Sequence, residues 1–311
     1  MVSRLPADCH GHATALLERN EVMPVQTSTA EIRQRILLLK EVPALPLIAQ
    51  RILCMSVDSD VAELADMIEK EPCIAARIIG VANSAYFGWP GGVRTIYDAV
   101  YKVLGIKLVK SLAIGIALGG ALDVKKCRGF RPEEYWFSAI VTAQLSQAFL
   151  PSVIRELRGG LENVHVNGLL HNFGLPVLAY LFPDELSRAF DSPSQENQQS
   201  ATERIRAVLG IDQNQAGGWL ARKWHLPRDI VCVMEHHKDT GYRGDFWPVV
   251  LLVGYCERQA KRFFQRDSIL QEPEIEALLG INEATVEKMG YRIECQIDDI
   301  HSMASLIATG G

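Results

Sequence analysis

In the stretch GLLHNFG, residues 168–174, His171 has the side chain and the setting of one half of a metal-binding pair, and the residue after it is Asn172. An amide oxygen offers a lone pair but no charge, whereas a divalent cation wants a carboxylate there. The plainer reading of His171 is a histidine satisfied by hydrogen bonds at a helix contact. His236 and His237 form the other histidine pair. Neighbours on a helix point about 100° apart, so these two do not chelate one ion; a helical pair needs i, i+4 spacing. Lys238 and Gly241 follow them, which suggests the last turn of a helix, where donor groups suit the free carbonyls. His165 falls on nearly the opposite side of a helix from His171 and does not join it at a common metal. Cys9, Cys54, Cys73, Cys127, Cys232, Cys256 and Cys295 stand singly, without a C-x-x-C pair, which excludes the usual zinc-ribbon and redox spacings and points to a reducing compartment. The sequence contains no G-x-S-x-G, no P-loop and no G-x-G-x-x-G ahead of a helix.

Helices must position these side chains, because no alternating run long enough for a strand stands out among the helical patterns. Thr29 can cap a helix carrying Ile32, Ile36, Leu37 and Leu39, and Pro43 and Pro46 start a second one with Leu45, Ile48, Ile52 and Leu53 on one side. Asp60 and Glu63 stand at capping-box spacing before Leu64, Ala65 and Ile68. Pro72 suits the first turn of the next helix, whose inward face reads Ala75, Ile78, Ile79 and Ala82. Gly105 closes the pattern TIYDAVYKVLG, and Gly115 and Gly119, one turn apart, let another element approach closely. Helical patterns continue from Glu133 to Phe264, interrupted by the hydrophilic stretch 191–200, which reads as a mobile connection.

The chain has 311 residues, 48% of them hydrophobic, and carries 32 Lys and Arg against 37 Asp and Glu for a net charge of −5. That balance argues against a phosphate-neutralising surface, so no nucleic-acid partner is expected. The one basic knot, Lys125, Lys126, Arg128 and Arg131, reads as a solvated loop between helices. The apolar run from Ser111 to Leu122 is short of the roughly 20 residues a bilayer needs, and the start MVSRLPADCHGH lacks the apolar core of a signal peptide. The expectation is a cytoplasmic protein without a membrane segment.

The stretches VPALPLIAQRIL, ELADMIEKEPCIAARIIGVANSAYFG, TIYDAVYKVLGI, GLLHNFG and LGIDQNQAGGWLARKWHLPRDIVCVMEHH stand in an order that resembles the HDOD family, the regulatory relatives of the HD metal-dependent phosphohydrolases. The run Asn83-Ser84-Ala85-Tyr86-Phe87-Gly88 and the pair His236-His237 make the likeness specific. It implies an all-α, two-lobed helical bundle with an HD-like second lobe. Residues 1–30 would form a loose extension and 31–240 the HDOD domain, split into lobes at 31–123 and 131–240. Residues 241–311 would add helices on the second lobe.

An HD-type enzyme binds one or two divalent cations through a His, a His-Asp doublet and a later Asp, and the resemblance places these positions at Ser138, His171-Asn172 and Glu257. Gln213 stands where many relatives have a further histidine. Of this set only His171 is kept, and the lysine that usually follows the doublet gives way to Leu175 and Pro176, with Pro176 expected to kink its helix. The site reads as vestigial, with no metal, no cofactor and no catalytic residue. The implied function is regulatory, in bacterial signal transduction, through contact with another signalling protein. Asn83, Ser84, Tyr86, Phe87, Trp89, His236 and His237 are the candidate partner or ligand surface. The alternatives are a metal-dependent phosphohydrolase of nucleotides or cyclic dinucleotides, which needs Asp212, Glu235, Asp239 or Asp245 to converge on His171, and a metal-free nucleotide sensor.

Overall fold

The computed structural model describes residues 44–55, 60–84, 87, 89–191 and 200–308, with Ala30 and Gln34. All regular structure among them is helical. The extension at 1–30, most of the helix expected from Thr29 and most of the connection at 191–200 lie outside the described residues.

The first lobe contains α1 (Leu47–Cys54), α2 (Val61–Glu69), α3 (Pro72–Ala82), α4 (Ile96–Asp98), its π-helical continuation Ala99–Leu104, and α5 (Ile106–Ala121). Pro46 precedes α1, Asp60 Oδ1 caps α2 by accepting from the Ala62 N–H at 3.0 Å, and Thr95 Oγ1 caps α4 by accepting from the Asp98 N–H at 3.0 Å. Gly105 ends the π-helical turn at φ 76°, a value that L side chains rarely adopt. α5 is the axis on which α1, α2 and α3 pack, burying Ile48, Ile52, Leu64, Ile68 and Ile78. The inward stripe of α3 is Ile74, Ile78, Val81 and Ala82, rotated from the expected one. That rotation puts Ile74 and Val81 inside, more apolar area than Ala75 offers, and leaves Ile79 half-buried.

The second lobe is built around α6 (Pro132–Phe149). Its other helices are α7 (Val164–Leu170), α8 (Gly174–Leu181), α9 (Pro183–Asp191), α10 (Ala201–Leu209), α11 (Gln213–Lys223), α12 (Arg228–His236), α13 (Trp247–Phe264), α14 (Pro273–Leu279) and α15 (Glu283–Ala308). α6 buries Tyr135, Trp136, Phe137, Ile140, Val141 and Phe149, so it is apolar almost all round and is covered by α7, α13 and α15. The close approach at Gly115 and Gly119 is made by the Trp136 indole. A Cβ on either glycine would come within 3.2 Å and 3.3 Å of that ring. α15 runs along α6 and also meets α3 and α5, so the C-terminal helix bridges the two lobes instead of covering one. No helix among the described residues is long and apolar enough to cross a membrane.

Candidate functional site

The site begins with a break in the helix. α7 stops at Leu170, and His171, Asn172 and Phe173 form a turn in which the Phe173 N–H donates to Leu170 O at 3.0 Å and the Leu175 N–H to Asn172 O at 3.0 Å. α8 then starts at Gly174. The two glycines of GLLHNFG fix this corner, because each lies where helix backbones nearly touch. A Cβ on Gly168 would come within 2.6 Å of Ala143 Cα in α6, and one on Gly174 would strike the Gln213 carbonyl and approach Gly217 N in α11 to 2.5 Å. Pro176 falls in the first turn of α8, where a missing N–H costs no helix bond, and the break in the helix lies just ahead of it at residues 171–173.

The corner opens on a cavity of about 480 Å³. Ser138 of α6, His171 and Asn172 of the turn, Gln213 at the start of α11, Lys238 just after α12, and Glu257 and Lys261 of α13 all line it. The five positions implied by the resemblance thus meet in one place. Gln213 Nε2 donates to Thr202 Oγ1 at 2.7 Å. Glu257 is 1% exposed, and its Oε1 accepts from both Lys238 Nζ and Lys261 Nζ, the latter at 2.9 Å. Asn172 Oδ1, Gln213 Oε1, Glu257 Oε2 and His171 Nε2 are buried without a hydrogen-bond partner.

Charge in the cavity follows from burial and from the two lysines. His171 Nδ1 lies 2.7 Å from Gly168 O, and a carbonyl only accepts, so the proton sits on Nδ1 and the lone pair on Nε2. Burial pushes the His171 pKa down to about 4, and nearby Glu257 does not reverse that. His237 is 1% exposed, donates from Nδ1 to Val233 O at 2.9 Å and sits edge-on to His171 with ring centres 5.0 Å apart. Burial, then the Lys238 charge, holds its pKa well below the usual imidazole value. For Glu257, burial favours the neutral acid, but the Lys238 and Lys261 ammoniums hold its carboxyl well below the usual carboxylate range. Burial lowers the Lys238 pKa to about 8, which leaves an ammonium at neutral pH.

A pH dependence of stability follows. The folded pKa of His171 and of His165, about 4 in each case, lies below the ordinary 6.5, so the unfolded chain binds the protons that the folded one refuses. The contribution is present above pH 6.5 and is lost as pH falls towards 4, by up to about 3 kcal/mol per histidine. Urea titrations between about pH 7 and pH 5 should show the unfolding free energy falling with acid, and His171→Gln should flatten the slope. A level profile in that window would disprove the assignment.

The remaining candidates lie elsewhere. His237 was expected on a surface but is buried, because it is the residue that ends α12 against α13, where Gly254 has no side chain to hold off its carbonyl. His236 points outward and stacks on Tyr242 at 4.3 Å. His165 and Phe87 line a second cavity of about 580 Å³ between the lobes and α15. Asn83 closes its own turn, its amide donating to Val93 O at 2.8 Å and accepting from the Val93 N–H at 2.7 Å. Ser84 and Phe87 are half-buried, Trp89 is 44% exposed, and Tyr86 lies outside the described residues. Of the four acids from which a hydrolase would have to draw, none lines the cavity with His171. Asp212 caps α11 and pairs with Arg206, Glu235 pairs with Arg222, Asp245 with Arg228, and Asp239 Oδ1 accepts from the Gly241 N–H at 2.9 Å.

The donor set does not fit a divalent cation. Its one carboxylate is already neutralised by two ammoniums, and Ser138, Asn172 and Gln213 add only neutral oxygens. No group of three or more His, Cys, Asp or Glu among the described residues is placed to share an ion. Sequence reasoning missed Lys238 and Lys261. Lys261 stands four residues after Glu257 on one helix face, a spacing that could have given it away; Lys238 reaches the acid only through the tertiary fold.

Three solved structures share this architecture. One, a protein from Marinobacter aquaeolei VT8 assigned to signal transduction, is 28% identical with a TM-score of 0.73 over 86% of this chain and 60% of that one. An HDOD domain protein with unknown function from Geobacter sulfurreducens is 19% identical with a TM-score of 0.66, over 89% of this chain and 99% of its own. A protein from Shewanella amazonensis SB2B assigned as a phosphohydrolase is 21% identical with a TM-score of 0.65, over 90% and 99%. An uncharacterized protein of Treponema pallidum (strain Nichols) is 21% identical over 245 residues, and the match spans 46% of its length, so this chain corresponds to about half of that relative. The HDOD domain profile matches residues 42–240, which include the first lobe, the corner at His171 and the lysine at 238. The chain belongs to the HDOD domain family.

Proposed function

We propose that this protein is a non-catalytic HDOD regulator that acts in bacterial signal transduction, in the cytoplasm, by binding another protein. Glu257 carries the reading: the one acid at the ligand positions is buried and already holds two ammoniums, so it has no free charge to offer a catalytic metal, while Glu134, the other acid lining the cavity, is exposed and lies 3.6 Å from Arg131. Asp212, Glu235 and Asp245, acids that a hydrolase would have had to draw in, are caps and ion pairs outside the cavity. Signal transduction is also the assignment of the Marinobacter protein, of which this chain covers 60%. The half-open aromatic edge at Phe87 and Trp89, with Ser84 beside it, and the outward His236 supply a contact surface.

Metal analysis of protein purified without chelators, combined with phosphodiesterase assays on nucleotides and cyclic dinucleotides with added Mn²⁺, tests the proposal. The expected result is no stoichiometric metal and no turnover above buffer. Stoichiometric Mn, Fe or Zn that disappears together with activity in His171→Ala overturns it. A rise in melting temperature with a nucleotide in metal-free buffer would replace the protein-binding reading with that of a nucleotide sensor.

A further inference from the structure

We infer that the Lys238 ammonium stands in for a metal ion as a tethered internal cation, and that Lys238, rather than Asn172, keeps divalent cations out of the cavity. The inference rests on the metal-free reading of the site. Lys238 leaves the end of α12 and turns inward, with 26% of its side chain exposed, to bond Glu257 Oε1. Its neighbour His237 lies against His171. The ammonium is therefore bonded to the one carboxylate of the set and lines the same cavity as His171, and that carboxylate and imidazole are the donors that would otherwise take a cation. Lys261 reaches the same oxygen from one turn along α13, but 59% of its side chain is exposed, so it can swing out when an ion arrives. Lys238 has less freedom to leave. A divalent ion bonded to Glu257 would sit within contact range of that ammonium, and like charges that close in a buried site repel strongly.

Glu257 with its two lysines carries one net positive charge. Changing Asn172 to Asp only cancels that charge. Removing the Lys238 charge as well leaves this cluster anionic, with two carboxylates and the His171 Nε2 lone pair free. The sequence made Asn172 the conspicuous substitution; the ion pairs make Lys238 the decisive one.

Wild type, Asn172→Asp, Lys238→Met and the double variant are dialysed against Mn²⁺ or Zn²⁺, and bound metal per chain is measured, with circular dichroism to confirm folding. Wild type and Asn172→Asp should stay metal-free, while the double variant should take up about one ion per chain and lose it when His171→Ala is added. A stoichiometric ion in Asn172→Asp with Lys238 in place overturns the inference, as does a folded double variant that binds none. An ion already present in the wild type overturns the metal-free reading itself, so the two failures are distinct. Should the methionine variants not fold, Lys238→Gln with Asn172→Asp replaces them, with the same expected and overturning results.

Discussion

Glu257→Gln should lower the unfolding free energy by about 3–5 kcal/mol, because it leaves two ammoniums facing a neutral amide where a carboxylate had held both. The loss should fall towards the lower end. Lys261 is 59% exposed and can return to water, so most of the penalty belongs to Lys238. The double variant Glu257→Gln, Lys238→Met tests this directly: with the stranded charge gone, most of the loss should be recovered, giving a large favourable coupling in a double-mutant cycle. Urea denaturation of wild type, both single variants and the double variant supplies the four numbers. A single-variant loss under about 1 kcal/mol would mean that the pair is hydrated, and that the site lacks the dry, charge-saturated character attributed to it.

The same cluster shows what a sequence can reveal of such a site. Ser138, His171, Asn172 and Gln213 could be placed because the family resemblance ties each to a stretch of the sequence: the helix that begins near Glu133, GLLHNFG, and LGIDQNQAGGWLARKWHL. Their meeting in one cavity follows from α7 packing on α6 and α11 packing on α8. Glu257 was also placed, but its meaning was hidden, since a lone Glu on a helix reads equally as surface. The partner that changes its role, Lys238, is 19 residues away in sequence and contacts it only because α12 and α13 meet. For a similar reason His236 and His237 both read as candidate surface, whereas the fold buries one ring and exposes the other. The face of α3 shows a milder limit: two stripes of similar apolar content lay one residue apart, and packing against α5 chose the bulkier. The bridging by α15 had no local signature, because a helix 26 residues long can lie on one lobe or on both.

Gly174→Ala should be the most damaging of the glycine substitutions around the site, costing roughly 3 kcal/mol or more and in the limit preventing folding. The added Cβ would overlap the Gln213 carbonyl and lie 2.5 Å from Gly217 N, and both are helix backbone with no rotamer to change. Relief requires α8 and α11 to separate. Gly115→Ala offers a graded comparison, since its Cβ would press on the edge of the Trp136 ring at 3.2 Å, a contact that a few tenths of an ångström can ease, at about 1–3 kcal/mol. Gly80→Ala, on the exposed side of α3 with nothing within 4 Å of the new Cβ, should instead stabilise by about 0.4–1 kcal/mol through the unfolded chain. Thermal melts of the three variants should therefore rank Gly80→Ala above wild type, Gly115→Ala below it and Gly174→Ala lowest or insoluble. If Gly174→Ala melts like Gly115→Ala, the helices can part cheaply, and the corner that brings Asn172 and Gln213 to one cavity is not fixed by backbone contact. If the ranking holds, the glycine that closes GLLHNFG is there for the crossing of two helices, and the cavity keeps its shape whether or not it ever held a metal.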